Sequence, residues 1–504
     1  MATKSLPRKI AASVGGLDAV SALMDMSPKS ALILDNFIPY PDALEMRPGY
    51  TQSVTGFVSP LQKLWTYASA AGVESLWGTS DTGIYNCSTP GAAPALSLAL
   101  TNGVTAGTSI TTGANSYLML VNGTDSLSQY DGATWTAVAV FGAVNTNTYS
   151  AIATYNQRLF MARKNSLTIE YLAINSISGA PTAYELGAIF NKGGKIVAIG
   201  TWTLDGGLGS NDKFVVMTSM GEVAVFSGSD PSVAASWIKE GVYLIGKPIG
   251  NASCMQKFGS DLLLITESGV IPMSKVVLSQ DIQATISVTD SIRPLVTALA
   301  KDYGSVQGWE LLFNPSIPLL VLNVPKLPES GQFCFYTPTK SWCTFSGWNA
   351  KAFGMLNGAM YWTDGANVNL VGGFSDLGAN IVATSLSAYQ ECGSNRPKRA
   401  VMVKTFLQPQ SGFSVGTALA RDFNVKPNAG LFPPGALTGQ YLWNTALWNA
   451  SYWSDADAVS QNWLAIEDTG SQWKANFVQV ASKSVRARYL GSEFRFVYSN
   501  GMGY

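Results

Sequence analysis

The residues able to do chemistry are few, and their arrangement argues against most catalysis. The chain contains no histidine, which removes His-based nucleophile triads, the usual imidazole acid–base and His-containing zinc sites. Its five cysteines, Cys87, Cys254, Cys334, Cys343 and Cys392, are dispersed and never paired as CxxC. Reduced, buried thiols are expected rather than zinc ligands, with Cys334 and Cys343 facing each other across a hairpin. Gly246-Lys247 is followed by Pro248 and lacks the upstream glycine of a phosphate loop. The glycine-rich segment 206–212 places its Asp one residue too late for a calcium-binding glycine loop and does not repeat, so it is read as a mobile loop, while Asp455 and Asp457 lack a third nearby carboxylate for a hard cation and are read as a surface turn. A glycoside hydrolase needs two carboxylates flanking one bond, and the 32 acids here are scattered without an evident pair. No catalytic residue, cofactor or metal is assigned, and the chain is read as a non-enzyme.

Two kinds of side chain would recognise rather than react. Arg396, Lys398, Arg399 and Lys404 form one basic cluster, and Lys483, Arg486 and Arg488 form another. On one chain such clusters are ordinary solvated faces. Repeated around a symmetric tube, they would touch a passing phosphate backbone or a partner. Trp443, Trp448 and Trp453 would either stack on a sugar or fill a core or intersubunit seam, and an aromatic packing seam is the expected role.

Composition sets what must carry these groups. The chain has 504 residues, 47% of them hydrophobic, so it folds with ample core. Charged residues make up only 13%, against ~25% for ordinary soluble domains. Subunits that hide surface in charge-poor interfaces fit that figure, so a homo-oligomer is expected. Lys plus Arg and Asp plus Glu are both 32, a net charge of zero, which gives no support to tight, sequence-independent DNA binding. Lys4, Arg8 and Lys9 precede no apolar stretch of leader length, and no run approaches the ~18 apolar residues of a membrane helix. Folding in the cytoplasm of the producing cell, without stable membrane insertion, is the expectation.

The positioning elements read as strands. Tyr117-Leu118-Met119-Leu120-Val121, Leu159-Phe160-Met161-Ala162, Phe214-Val215-Val216-Met217, Leu262-Leu263-Leu264-Ile265 and Leu319-Leu320-Val321-Leu322 are apolar at every position, as strands covered on both faces must be. With Leu76 and Ala359 they recur at intervals of about 40–57 residues, the length of a propeller blade with loop insertions. Asp131-Gly132 and Asn357-Gly358 mark tight hairpins, where φ must be positive. The fold expected is all-β, with an extended N-terminal arm at 1–60, a β-propeller at 61–378 and a sandwich-like β-domain at 379–504. Six blades are expected, with seven as the alternative, because one hairpin could be shared by both ends of the ring. Ser27 to Asn36 would hold a short helical turn, and runs 399–407 and 485–497 alternate like half-exposed strands.

The arm carries a resemblance. Gly15-Gly16-Leu17, followed by Asn36-Phe37-Ile38-Pro39 and Arg47-Pro48-Gly49, resembles the N-terminal signature of tail proteins of short-tailed bacteriophages. The tryptophan-rich C-terminal region, closing on Phe496, Tyr498, Gly501, Gly503 and Tyr504, is similar to theirs. The resemblance implies a tail nozzle or hub, also called a packaged-DNA stabilisation protein. Six copies would form a ring that extends the portal and adaptor channel, retains the genome and conducts it out, beside tail fibres or spikes. It implies no catalytic residues, transient contact with double-stranded DNA, and a place in the virion tail after assembly in the host cytoplasm. Asn36, Phe37, Pro39, Arg47, Pro48 and Gly49 would serve as an arm packing or subunit-interface element. A receptor- or glycan-binding tail protein is the alternative, and a propeller carbohydrase a weaker one.

Overall fold

The computed structural model describes residues 6–113, 115–205, 210–278, 287–394, 396–409, 412–423, 463–466, 468 and 470–498. Seven antiparallel meanders follow one another along the chain. Their first strands are Leu61–Ala68, Ala106–Thr112, Tyr149–Tyr155, Ile196–Asp205, Met255–Phe258, Glu310–Asn314 and Ala352–Leu356. Each first strand abuts the next around a common axis, and the seventh returns to the first. The chain is a seven-bladed β-propeller with a β-sandwich beside it.

Every apolar run falls on the second strand of its sheet, where neighbouring blades cover both faces. Arg158–Arg163, for instance, is buried at all four central positions. The count of seven, rather than six, has a physical cause. The ring is closed by a single outer strand, Tyr50–Thr55, laid antiparallel on Asn367–Val371. No hairpin is shared between the ends, so each of the seven runs has its own blade.

The fifth blade departs from the pattern. It stops after three strands at Gly269–Pro272, and a helix at Arg293–Tyr303, opened by Pro294, lies against the core through Val296 and Ala300. Both expected hairpins form, but only one as expected: Asn357 and Gly358 take φ of 51° and 75° between paired strands, whereas at Asp131-Gly132 the positive φ is confined to Gly132, at 97°, in a longer turn between Tyr130 and Trp135.

Residues 1–60 were expected to lie as an arm on other surfaces, but their described part is woven into the sheets. Leu6–Ala11 pairs with Arg488–Tyr498, and Ser30–Asp35 pairs with Ile381–Ser387. The expected helical turn at Ser27 to Asn36 is thus largely strand, because Ala31 and Leu34 are drawn into the core between sheets. The same strand touches Thr344 through Asp35, so the sixth blade runs on into the sandwich. There Lys474–Ser482 and Phe413–Arg421 complete one sheet, while Lys398–Gln408, Arg488–Tyr498 and Trp463–Ala465 form the other. Leu419 of the first packs on Val403, Phe494 and Phe496 of the second. Both alternating runs read from the sequence are strands of this second sheet.

Candidate functional site

The arm motif forms a closed node at the seam between propeller and sandwich. Asn36 sits at φ 58°, a left-handed position that asparagine tolerates. Its amide donates to Ser346 Oγ at 2.9 Å and to the Val382 carbonyl at 2.8 Å, and its Oδ1 accepts from Arg47 Nε at 2.7 Å. The Arg47 guanidinium grips both oxygens of Asp376 at 2.9 and 2.7 Å and donates to the carbonyls of Pro48 and Ser346. It also stacks 5.1 Å from the Trp348 ring. Such a planar bidentate fork is a role lysine could not fill. Gly49 is required sterically, since a Cβ there would meet the Ser375 carbonyl at 2.0 Å. Beside the node, burial raises the Asp35 carboxyl, against the opposing pull of the Ser346 and Thr344 hydroxyls and the Arg47 charge.

Asn36, Phe37, Pro39, Arg47, Pro48 and Gly49 are all buried within their own chain. The expected subunit-interface role is corrected on that ground: side chains already enclosed leave no surface for a neighbour. Their packing role is what the structure displays.

The basic clusters divide. Lys398 is 1% exposed and donates to the carbonyls of Ser394 and Gln472 at 2.8 and 2.7 Å; burial pulls its ammonium below the usual range. It holds the sandwich together and cannot reach a polyanion. Arg486 pairs with Glu45 at 3.2 Å and Arg488 with Asp42 at 2.9 Å, so both are already turned to the arm's acids. Arg396, Arg399 and Lys483 are exposed and Lys404 is half-buried.

Lys404 belongs to an arrangement that the sequence reading missed. Across four strands Lys9, Glu493, Lys404 and Trp463 stand side by side. Lys404 lies over the Phe406 and Trp463 rings at 5.3 and 5.8 Å, Arg495 over Trp463 at 4.8 Å, and Lys9 over Phe406 at 5.6 Å. Cations interleaved with aromatic rings suit a nucleic-acid backbone and its bases. Arg495 was visible as an alternating position in its run, but Lys9 lies hundreds of residues away and only the sheet register joins them.

Two chambers lie on the propeller axis. The first, about 290 Å³, is walled by first strands of six blades, including Trp65, Thr108, Thr154, Thr201, Lys257 and Glu310. Glu310 is the only carboxylate lining either chamber among the described residues, and it is spent on Lys63 Nζ and the Phe353 amide, each at 3.0 Å. The second, about 250 Å³, opens where the first strands begin and shares Thr105, Ala106, Ala252 and Ser253 with the first.

Among the described residues no cluster of three or more His, Cys, Asp or Glu could hold a metal ion. All five cysteines are free. Cys334 and Cys343 face each other across their hairpin, and burial pushes the Cys87 and Cys254 thiols up to about 12. Trp443, Trp448, Trp453, Asp455 and Asp457 lie outside the described residues, as does part of 206–212. No described helix is long and apolar enough to cross a membrane.

No protein-family model matches the sequence, and a search of curated proteins finds no match. Solved structures align with it at low identity and low structural overlap. The extracellular domain of the putative one-component system BT4673 from B. thetaiotaomicron aligns with 12% identity and a TM-score of 0.42, over 77% of this chain and 48% of that one. The chain therefore spans about half the length of that protein. The β-propeller domain of Myceliophteria thermophila Cps50 (Swd1) aligns with 10% identity and a TM-score of 0.40, over 64% of this chain and 99% of that domain. U3-55K aligns with 10% identity and a TM-score of 0.36. The propeller rests on the seven-sheet ring described above.

Proposed function

We propose that this protein is a structural component of a short-tailed bacteriophage tail, a nozzle subunit of which six copies form a ring. The ring would prolong the portal and adaptor channel, retain packaged double-stranded DNA and conduct it during ejection, without catalysis. The observation that carries the reading is the Asn36–Arg47–Asp376 node. The very residues that bear the family resemblance are spent on welding propeller to sandwich, which a subunit bearing internal pressure requires. Two further features support it. Only 13% of residues are charged, as suits extensive subunit contacts. The propeller's axial chambers are far too small for a duplex whose major groove alone is about 12 Å wide, so a DNA passage has to run between subunits rather than through one. In such a ring the face bearing Lys9, Lys404 and Arg495 is the surface suited to brief phosphate contact.

Native mass measurement of the purified chain, followed by low-resolution imaging, tests this directly. Six copies around an open hole support the nozzle. A monomer at high concentration, or a closed trimer, overturns it. The polar mouth of the axial cavity favours a second reading, a receptor- or glycan-binding tail protein, and a trimer that binds host glycan would be its signature.

A further inference from the structure

The outer axial chamber is lined by donors with capacity to spare. Gln307 Nε2 is buried without a hydrogen-bond partner, while its Oε1 accepts weakly from Asn251 at 3.4 Å. That nitrogen is enclosed rather than open to the chamber, so Gln307 shapes the wall without offering a donor to it. Two ammonium groups stand on the same wall. Lys164 Nζ donates to the Gly123 carbonyl at 2.9 Å and Lys195 Nζ to Asn165 Oδ1 at 3.2 Å. Each lysine carries three donors, so both retain protons for another partner. No carboxylate lines this chamber among the described residues. Ser150 and Ser253 add hydroxyls that can donate or accept.

We infer that this mouth binds a single acidic sugar unit, a hydroxylated ring carrying one oxyanion. The two cations, with no carboxylate beside them on this wall, call for the oxyanion. The serine hydroxyls and the Asn165 amide, able to serve ring hydroxyls from either side, call for the polyol. A volume of about 250 Å³ lies just under the ~300 Å³ at which drug-sized pockets begin, which selects one ring rather than a chain. The shape of the site owes nothing to subunit number, so this inference stands or falls independently of the proposed ring.

The test is titration of the full-length protein, followed by ligand-observed NMR and calorimetry, with glucuronate as probe and glucose, glucose 6-phosphate and inorganic phosphate in parallel. Saturable binding of glucuronate or glucose 6-phosphate is expected at millimolar concentration or below, and which of the two binds tighter names the oxyanion. Lys164→Ala and Lys195→Ala should each weaken that binding about tenfold, the worth of one charge-assisted hydrogen bond of ~1.4 kcal/mol, while leaving the melting temperature within a degree or two. Absence of saturation with both acidic sugars overturns the site. So does binding that neither variant alters. Glucose binding as tightly as glucuronate removes the oxyanion, and phosphate alone binding as tightly as glucose 6-phosphate removes the sugar.

Discussion

The propeller and the sandwich both bury apolar residues, but they differ in what is packed beside them. Between the third and fourth blades, Tyr155, Phe160, Phe214, Phe226 and Trp237 form one aromatic stack, with Phe160 and Phe214 centred 4.5 Å apart. Across the sandwich runs a polar chain instead. Asn476 donates to Tyr489 and Ser492 at 2.6 and 3.1 Å, and Thr405 bridges to Thr417 at 2.9 Å. At one end of that sandwich Lys474 and Asp468, 0% and 1% exposed, meet at 2.7 Å. Area burial holds the blades, and it is tolerant of detail. A buried polar chain contributes little net energy but penalises any misalignment, so it fixes which strands pair. The difference follows from assembly. Each blade is a local meander with little choice of partner, whereas the sandwich must select strands from both ends of the chain.

The largest effect should come from the node that joins the two regions. Arg47→Ala leaves Asp376 and several carbonyls unmatched and should cost about 3–5 kcal/mol. It should also separate the unfolding of propeller and sandwich in chemical denaturation followed by two probes. A single coincident transition of unchanged midpoint would show the node to be dispensable. Phe160→Ala, in the aromatic stack, should lose a similar ~3–5 kcal/mol, but with one transition that shifts as a whole. Tyr489→Phe removes a hydroxyl from the polar chain and leaves the Asn476 amide with Ser492 as its one remaining acceptor there, for about 1–3 kcal/mol. If it costs nothing, the contrast between the two interiors is one of composition only.

A pH series sharpens the seam. The Asp35 carboxyl is raised above its ordinary 3.8 chiefly by burial, so the folded state holds its proton more tightly than the unfolded chain. Stability contributed by that group is therefore present below 3.8 and is lost as pH rises through the raised value. Asp35→Asn should flatten this part of the stability–pH curve relative to the parent, read by denaturant midpoints on either side of the window. The smallest effect belongs to the rim. Arg488→Ala breaks a contact with the exposed Asp42 and should change stability by less than about 1 kcal/mol.

What was legible in the sequence tracks the distance between partners. A run such as Phe214-Val215-Val216-Met217 declares itself because blade neighbours cover both faces of a central strand. Asp131-Gly132 and Asn357-Gly358 declare the hairpins because turn geometry is local. The closing strand Tyr50–Thr55 could not be read, since its outer position leaves Tyr50, Thr51 and Gln52 half-exposed or exposed and its partner lies in the last blade. Ser30–Asp35 was mistaken for a related reason: only Ala31 and Leu34 are fully buried, a spacing of three that suits a helix face better than a regular strand, and a register shift between Ala31 and Ile33 accommodates it. Of the site residues, the arm motif was singled out for an interface, and its enclosure within the chain could not be read because its partners Asp376, Ser346 and Trp348 have no local signal. Lys398 looked like its neighbours Arg396 and Arg399, and only the pairing of strands sends it inward.

Closure of the ring by an early strand also imposes a schedule on synthesis. Tyr50–Thr55 leaves the ribosome roughly 300 residues before Asn367–Val371, so at about 5–20 residues per second its edge stays unpaired for ~15–60 s. During that interval it is a template for foreign strands. A chain stalled anywhere within the blades would be an open, sticky arc, and the yield of intact protein would depend on translation speed and chaperone cover more than on final stability.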